Sequence, residues 1–274
     1  MACASFAAAD TVTAADASGN NHVMNFVGTG VSNGFSTTDF KFGGSAAFQT
    51  ARNTPAAYVY ADGSTAFYTD VFSTGFTVEG WFKITGTQNE TTNTVGLLSL
   101  NSGSWLDATG GAGMSNKIRF VLPARRLSDG ALKYLEVSST VTLADISNQW
   151  VHLAGTFDAE TQVASLYING SLIGSTAAAP GVYGPHAAWG EDADVNVLYT
   201  GGSYRAAFGL VDEIRISNTV RYSGNFTPAA NEFASDGSTV ALWHFNEGAV
   251  PEPATSMLMV SAGIALYMRQ HNRR

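Results

Sequence analysis

The chain is poor in cysteine and in charge. Cys3 is the only cysteine among 274 residues, so no disulfide can form within the chain. Stability must therefore come from a packed core, with or without a bound metal. Charged residues make up 13% of the sequence, the formal net charge is −8, and no basic cluster lies outside the extreme C-terminus. Because nucleic-acid binding requires a basic surface, we expect no nucleic-acid partner.

The sequence also lacks the common catalytic patterns. No H-E-x-x-H, G-x-S-x-G, phosphate-binding loop or C-x-x-C pattern occurs, and the five histidines are scattered. His152 lies on an alternating segment and is interpreted as a structural residue rather than a general base. Asp212 and Glu213 are adjacent, so on a regular strand their side chains would point to opposite faces. We therefore do not expect an enzyme.

Glycine is abundant, and short apolar runs alternate with polar residues. The 29 glycines suit many short strands joined by tight turns. A chain of this length is compatible with one all-β domain and two tails. The stretch 102–116, SGSWLDATGGAGMSN, is predicted to be a glycine-rich loop that exposes Trp105.

Residues 150–174, WVHLAGTFDAETQVASLYINGSLIG, are predicted to form a three-stranded meander. Apolar and polar residues alternate with a period of two in 150–157 and again in 163–168, which indicates strands with one buried face. Asn169 and Gly170 then form the two-residue turn typical of a type I′ hairpin, in which both residues need φ > 0. The third strand follows at residues 171–174. The meander predicts an antiparallel sheet.

This meander resembles the central hairpin of laminin-G-like, concanavalin A-like jelly-roll domains. Four other segments fit that family in its order: KFGGSA at 41–46, FTVEGWF at 76–82, VDEIRI at 211–216 and ALWHF at 241–245. The resemblance implies an all-β fold, a two-sheet antiparallel β-sandwich, over residues 10–248. Since such domains include lectins, adhesion modules and accessory domains of hydrolases, the resemblance implies the fold better than the function.

The two ends of the chain are interpreted as sorting segments. Residues 1–9, MACASFAAA, resemble the end of a secretion signal because small residues precede Asp10. The alternatives are a lipobox remnant around Cys3 and a disordered N-terminus.

In residues 249–274, an apolar run at 256–268 and terminal arginines follow Pro251, Glu252 and Pro253. This order resembles the PEP-CTERM sorting signal of Gram-negative bacteria. The resemblance implies export to the cell envelope or beyond, a short C-terminal apolar helix as a transient membrane anchor, and processing by an exosortase-type enzyme. A generic C-terminal anchor is the alternative.

Asp212 is the first candidate metal ligand. On the predicted strand 208–217 it shares a face with Leu210, Ile214 and Ile216, so its carboxylate is expected among core residues. A buried carboxylate requires hydrogen bonds, an opposite charge or a metal. The family resemblance implies a structural Ca²⁺ here, with Asp16 of the N-terminal loop as a second ligand. The alternative is that Asp212 accepts backbone N–H bonds without any metal.

The candidate ligand site comprises Tyr183, His186, Trp189 and Asp192 in the irregular stretch 176–196. Exposed aromatic rings can stack on sugars while polar neighbours bind the hydroxyls. The alternative is that these aromatics pack beneath their own loops. The interpretation is an exported, non-catalytic protein that binds a polysaccharide or glycan. A structural or protein-binding surface component is the alternative, and a divergent glycoside hydrolase is the weaker one.

Overall fold

The computed structural model consists of β-strands joined by turns and loops. It describes residues 12–27, 33–50, 58–61, 75–88, 94–100, 103–109, 113–126, 128–129, 131–178, 183–184, 194–198 and 206–248. Within these ranges the chain forms 17 strands and two short 3₁₀ turns, Gly113–Ser115 and Asn246–Gly248. The same ranges contain no helix that is long and apolar enough to cross a membrane.

One sheet, which we call the front sheet, is centred on the paired long strands β6 (Gly75–Gln88) and β16 (Ala206–Ser217). Its strands, in spatial order, are β3 (Asn33–Ser36), β4 (Ala46–Gln49), β16 (Ala206–Ser217), β6 (Gly75–Gln88), β11 (Val151–Asp158), β12 (Val163–Ile168) and β13 (Ser171–Ala177). The strand β17 (Thr239–Trp243) pairs with the second half of β16, on the edge that β4 also uses.

The other sheet, the back sheet, covers the inner face of the first. Its strands, in spatial order, are β1 (Thr13–Ala14), β2 (Met24–Val27), β5 (Tyr58–Ala61), β15 (Val195–Val197), β7 (Thr94–Leu100), β8 (Gly103–Thr109), β9 (Lys117–Arg126) and β10 (Leu132–Thr142). The short β14 (Tyr183–Gly184) pairs with the end of β9. Apart from one parallel bridge between Ala206 and Gly96, the described pairings are antiparallel. The predicted two-sheet β-sandwich is confirmed.

The core lies between the two sheets and follows the alternation of the strands. Phe76 on β6 packs against Phe157 on β11 and Phe120 on β9, with ring centroids 6.0 and 6.2 Å away. Gly155 allows this close approach, because a Cβ atom there would lie 2.3 Å from the ring of Phe120. The apolar face predicted for residues 150–157 is thus the inner face of the front sheet.

The hairpin between β12 and β13 has the predicted turn. Asn169 has φ 49° and Gly170 has φ 77°, so both residues occupy the left-handed region that a type I′ turn requires. Gly170 is also a contact point, since a Cβ atom there would lie 2.0 Å from the carbonyl oxygen of Phe226. No other residue fits this position without displacing the chain that crosses it.

The prediction of a loop over residues 102–116 is wrong. This stretch contains β8 and a 3₁₀ turn, and β8 pairs with β7 on one side and β9 on the other. Leu106 and Ala108 face the core, while Asp107 between them is buried and bonds to the guanidinium of Arg119 on β9. The side chain of Trp105 lies outside what the structure describes.

A β-bulge in β16 changes the face predicted for Asp212. Asp212 pairs with Trp81 and Arg215 pairs with Glu79, so β16 advances three residues where β6 advances two. Glu213, with φ 56°, absorbs the extra residue. The core cluster therefore includes Val211, Ile214 and Ile216, whereas Asp212 lies on the outer face of the front sheet. The prediction that Asp212 shares a face with Ile214 and Ile216 is wrong.

Candidate binding cleft and the buried charge network

Residues 218–236, which we call the strap, cross the outer face of the front sheet without forming a strand. The strap is attached to the β12–β13 hairpin by several contacts. The hydroxyl of Tyr167 donates to the carbonyl of Tyr222 at 2.9 Å, and the backbone N–H of Leu172 donates to Asn225 Oδ1 at 2.8 Å. Within the strap, the rings of Tyr222 and Phe226 stack at 3.5 Å. These contacts fix an irregular segment in one position.

Glu79 on β6 is the centre of a buried charge network beneath the strap. Its side chain is 0% exposed, and Arg215 donates from Nε and Nη2 to Oε1 at 2.9 and 2.7 Å. The hydroxyl of Tyr222 donates to Oε2 at 2.7 Å, and His152 Nε2 lies 3.1 Å from the same oxygen. The network thus joins β6, β11, β16 and the strap through one carboxylate.

The ionisation of this network follows from its contacts. Burial acts to raise the pKa of the Glu79 carboxyl, but the hydrogen bond from His152, the charge of Arg215 and the bond from Tyr222 outweigh burial and lower that pKa. Burial and the Glu79 carboxylate raise the pKa of Tyr222, so its hydroxyl remains a donor. At neutral pH Glu79 is therefore an ionised acceptor sealed inside the protein.

His152 is enclosed by aromatic rings as well as by Glu79. Its ring centroid lies 5.4 Å from that of Trp81, 5.7 Å from that of Phe226 and 5.9 Å from that of Phe233. The ring is 0% exposed, and its Nδ1 has no hydrogen-bond partner among the described residues. This enclosure supports the interpretation of His152 as a structural residue.

An open cleft of about 260 Å³ lies beside the strap on the outer face of the front sheet. It is lined by β11, β12 and β13 of the sheet, by the turn between β11 and β12, and by residues 220–223 of the strap. The lining residues are Thr156, Asp158, Thr161, Val163, Ser165, Tyr167, Leu172, Ser175, Val220, Tyr222 and Ser223. Serine and threonine side chains thus supply much of the polar lining.

The polar groups of the cleft differ in their availability. Tyr167 and Tyr222 use their hydroxyls to bind the strap and Glu79. Ser165 and Ser175 share a hydrogen bond of 2.8 Å across β12 and β13, and either hydroxyl can be the donor. The rings of the two tyrosines and the side chain of Leu172, which is 39% exposed, add apolar surface.

Asp158 is the carboxylate of the cleft, and a turn holds it in place. Its Oδ1 accepts the backbone N–H groups of Glu160 and Thr161 at 2.9 and 3.1 Å. Burial acts to raise the pKa of Asp158, but the hydrogen bonds from Thr161 and Glu160 outweigh it, and the net effect is a lowered pKa. The cleft therefore carries a fixed negative charge at neutral pH.

The two guanidinium groups nearest the network are already engaged. Arg215 binds Glu79 and the carbonyl of Ala234. Arg221 donates to both carboxylate oxygens of Asp236, at 2.9 and 2.7 Å, and to Ser217 at 2.6 Å. Among the residues that line the described cleft, none is a lysine, an arginine or a histidine.

Asp16, one of the two predicted calcium ligands, is used as a turn cap. Its Oδ1 accepts the N–H groups of Ser18 and Leu242 at 2.9 and 3.0 Å, and its Oδ2 accepts the Ser18 hydroxyl and the His22 N–H at 2.8 and 2.9 Å. Four donors thus surround this carboxylate, which ties the N-terminal loop to β17.

Asp212, the other predicted calcium ligand, holds a different segment. Its Oδ2 accepts the backbone N–H groups of Lys41 and Phe42 at 2.8 and 3.0 Å, whereas its buried Oδ1 has no partner among the described residues. Burial, with the charge of Glu213, raises the pKa of Asp212 to about 7 against the lowering effect of the two N–H donors. The described residues contain no group of three or more His, Cys, Asp or Glu side chains that could hold a metal ion. Calcium binding stays a prediction.

The predicted ligand site lies almost entirely outside the described residues. Only the backbone of Tyr183 is described, in β14, where it pairs with Arg126. His186, Trp189 and Asp192 lie outside the described ranges. The cleft residues were not predicted. A signal for them existed in the polar positions of 150–157 and 163–168, since Thr156 and Ser165 occupy the outer face of the sheet opposite each other.

The family of the chain follows from a sequence comparison. A laminin-G-like family model, described as the concanavalin A-like lectin/glucanases superfamily, matches residues 53–225, which is more than half of the chain. The chain belongs to this family. The match begins before β5, includes β11–β13 with the cleft residues Asp158 and Ser175, and ends within the strap after Tyr222. All the residues that line the cleft therefore lie within the matched range.

Solved structures of low identity resemble this laminin-G-like domain. The CBM40 of a Ruminococcus gnavus IT-sialidase, bound to α2,3-sialyllactose, is 16% identical with a TM-score of 0.42 over 57% of this chain and 80% of its own. Domain 4 of a Geobacillus stearothermophilus GH43 extracellular arabinanase, in complex with arabinotriose, is 17% identical. Its TM-score is 0.44, and the match covers 80% of this chain and 95% of the arabinanase domain. A heptameric SAP-like pentraxin from Limulus polyphemus is 12% identical. Its TM-score is 0.35, and the match covers 64% of this chain and 85% of the pentraxin chain. No curated protein sequence matches the chain.

Proposed function

We propose that this domain binds carbohydrate in the cleft beside the strap. The observation that carries the proposal is the lining of the cleft, which combines Ser and Thr hydroxyls and one carboxylate with apolar and tyrosine surface. Sugars present hydroxyls that both donate and accept hydrogen bonds, together with apolar ring faces. A volume of about 260 Å³ is below the range of roughly 300–1,000 Å³ found for drug-sized ligands. The cleft therefore suits a short part of a longer glycan.

The cleft chemistry supports binding rather than hydrolysis. Glycoside hydrolysis commonly uses two carboxyl groups on either side of the scissile bond. Among the described residues that line the cleft, Asp158 is the one carboxylate. Glu79 is outside the lining of the cleft, fully buried and bound to Arg215, Tyr222 and His152, so a substrate does not reach it. A non-catalytic binding module is the function that these positions favour.

Two tyrosine substitutions on β13 test the proposal in the full chain. Ser175 and Ser171 are both exposed, but only Ser175 lines the cleft. Binding of the native chain to a panel of oligosaccharides and polysaccharides should be saturable. Ser175→Tyr fills the cleft and should weaken glycan binding at least tenfold, while Ser171→Tyr should leave glycan binding unchanged. A folded native chain that binds no glycan, or a Ser175→Tyr variant with native affinity, would overturn the proposal in favour of a structural surface component.

A structural Ca²⁺ remains part of the proposal, with Asp212 as its ligand. The buried Oδ1 of Asp212 lacks a partner among the described residues and could accept a cation. Asp16 fits less well, because four donors surround its carboxylate. A melting temperature of the full chain that a chelator does not lower would count against the ion.

Export and envelope sorting are proposed from the sequence pattern of the two tails. Pro251, Glu252 and Pro253 with the following apolar run support recognition by an exosortase-type enzyme and transient membrane anchoring. Both tails lie outside the described residues. Deletion of residues 250–274 should release the protein from the envelope fraction of a Gram-negative host. Unchanged fractionation of the truncated chain would exclude a sorting role for this segment.

A further inference from the structure

The charge of the cleft determines which class of sugar it can hold. We infer that the cleft selects uncharged sugar units and rejects acidic ones, such as uronic and sialic acids. This inference rests on the proposed function and specifies the ligand class of the same site.

The first basis is the position of Asp158. It lines the cleft from the end of β11, and its Oδ1 is fixed by the backbone N–H groups of Glu160 and Thr161. The carboxylate cannot rotate away from a ligand without breaking both hydrogen bonds. A sugar carboxylate in the cleft would therefore meet a fixed like charge at short range, where salt screens the repulsion least.

The second basis is the absence of a compensating cation in the described part of the cleft. Protein sites for carboxylates commonly use a guanidinium that donates two parallel hydrogen bonds. Arg221 already makes such a pair with Asp236, and Arg215 donates both its Nε and Nη2 protons to Glu79. Recruiting either group would break the ion pair that it already makes, which lies within the strap for Arg221 and between β16 and β6 for Arg215. An acidic sugar would thus find no free counter-ion among the described residues that line the cleft.

The third basis is the match between the remaining groups and neutral sugars. The Ser165 and Ser175 hydroxyls bond to each other at 2.8 Å, and either can turn to donate to or accept from a ligand hydroxyl. The carboxylate of Asp158 is a strong acceptor for sugar hydroxyl protons. Neutral sugars can satisfy all of these groups without bringing a charge into the cleft.

Matched ligand pairs test the inference with the full chain. In two pairs the acidic member differs from the neutral one by oxidation of hydroxymethyl groups to carboxylates: cello-oligosaccharides with cellouronates, and α1,4-linked galacto-oligosaccharides with galacturonates. A third comparison, lactose with sialyllactose, adds a complete sialic acid unit. Dissociation constants are measured by calorimetry for the native chain, Asp158→Asn and Asp145→Asn. The Asp158→Asn substitution keeps the oxygen that caps the turn but removes the charge. Asp145 is an exposed carboxylate that caps a different turn through Thr142 and lies outside the lining of the cleft, so it controls for net charge.

The neutral member of a bound pair should bind at least tenfold more tightly than the acidic member. Asp158→Asn should reduce the ratio of neutral to acidic affinity because it should strengthen the binding of acidic ligands. Asp145→Asn should leave that ratio unchanged. A native chain that prefers the acidic member, or an unchanged ratio in Asp158→Asn, would overturn the inference while the proposed carbohydrate binding stands. If no member of any pair binds to the folded chain, the proposed function and the inference both fail.

Discussion

Replacement of Glu79 by glutamine tests the buried charge network directly. Glutamine has nearly the same shape, so the substitution removes the charge without opening a cavity. Arg215 would then remain buried against the ring of Phe233, 4.4 Å from the centroid, without its counter-ion. The hydrogen bond that Tyr222 donates would also lose its charged acceptor.

The expected loss is large because a buried charge would be left without its partner. Removal of one partner of a buried ion pair lowers the free energy of unfolding by about 3–5 kcal/mol. We expect about 3 kcal/mol for Glu79→Gln, since the glutamine oxygen can still accept one bond from Arg215. At about 2–4 °C per kcal/mol for a domain of this size, the melting temperature should fall by roughly 6–12 °C.

Urea unfolding and calorimetry at pH 7 measure this loss. Glu160→Gln, an exposed turn residue, is the matched control and should change stability by less than about 0.5 kcal/mol. The double variant Glu79→Gln/Arg215→Met should recover at least about 1 kcal/mol relative to Glu79→Gln, because the unpaired guanidinium is gone. A loss below about 1 kcal/mol for Glu79→Gln would refute the reasoning.

The same variant has a defined pH dependence. The folded pKa of Glu79 is lowered, so its stabilisation is fully present above the ordinary glutamate pKa of about 4.3 and is lost as the pH falls through the folded pKa. Glu79→Gln should therefore flatten the loss of stability below about pH 4.3. An acid limb identical to that of the native chain would show that Glu79 is not ionised in the folded state.

Three further variants probe other features of the fold. With a chelator present to remove any bound Ca²⁺, Asp212→Asn should gain stability relative to the native chain between about pH 5 and pH 8. The reason is that a folded pKa of about 7 makes the native chain lose stability as the pH rises over that range. Thermal melts of both proteins at the two pH values check this, and a stability difference that is the same at both values would contradict it. Tyr222→Phe should lower the free energy of unfolding, measured in urea, by about 2 kcal/mol because Glu79 loses a hydrogen-bond donor. The same variant should keep its glycan affinity, measured by calorimetry, because the aromatic ring remains. Gly155→Ala should lower the free energy of unfolding by about 1–3 kcal/mol, because the new methyl group would overlap the ring of Phe120. An unchanged free energy of unfolding in urea would mean that the ring can move.

Features fixed by local sequence were predicted well. The Asn169-Gly170 turn depends on the left-handed φ values of two adjacent residues, and the neighbouring strands alternate clearly. The strand β8 was missed because glycines surround it and because its buried Asp107 interrupts the apolar pattern. That aspartate is satisfied by Arg119 on β9, which no local pattern in residues 102–116 indicates.

The bulge and the cleft depend on tertiary pairing and could not be predicted locally. The extra residue at Glu213 appears only in the register of β16 against β6, so a regular alternation assigned the wrong face to Asp212. The cleft combines Thr156 and Ser165, which are on strands, with Tyr222, which is on the strap. The strap has no periodic pattern, and its position is set by partners far away in the sequence.

The dependence of the strap on the sheet beneath it has a consequence for the order of folding. The bond between Tyr222 and Glu79 spans 143 residues, and the paired residues of β6 and β16 are separated by about 120–140 residues, so both contacts carry a similar loop-closure entropy. The strap differs because it has no regular structure of its own and docks on a face that these paired strands create. We expect the two sheets to associate first and the strap to dock last. Recovery of sugar binding during refolding would then lag behind recovery of β-sheet circular dichroism, and the cleft would report the completion of the native state.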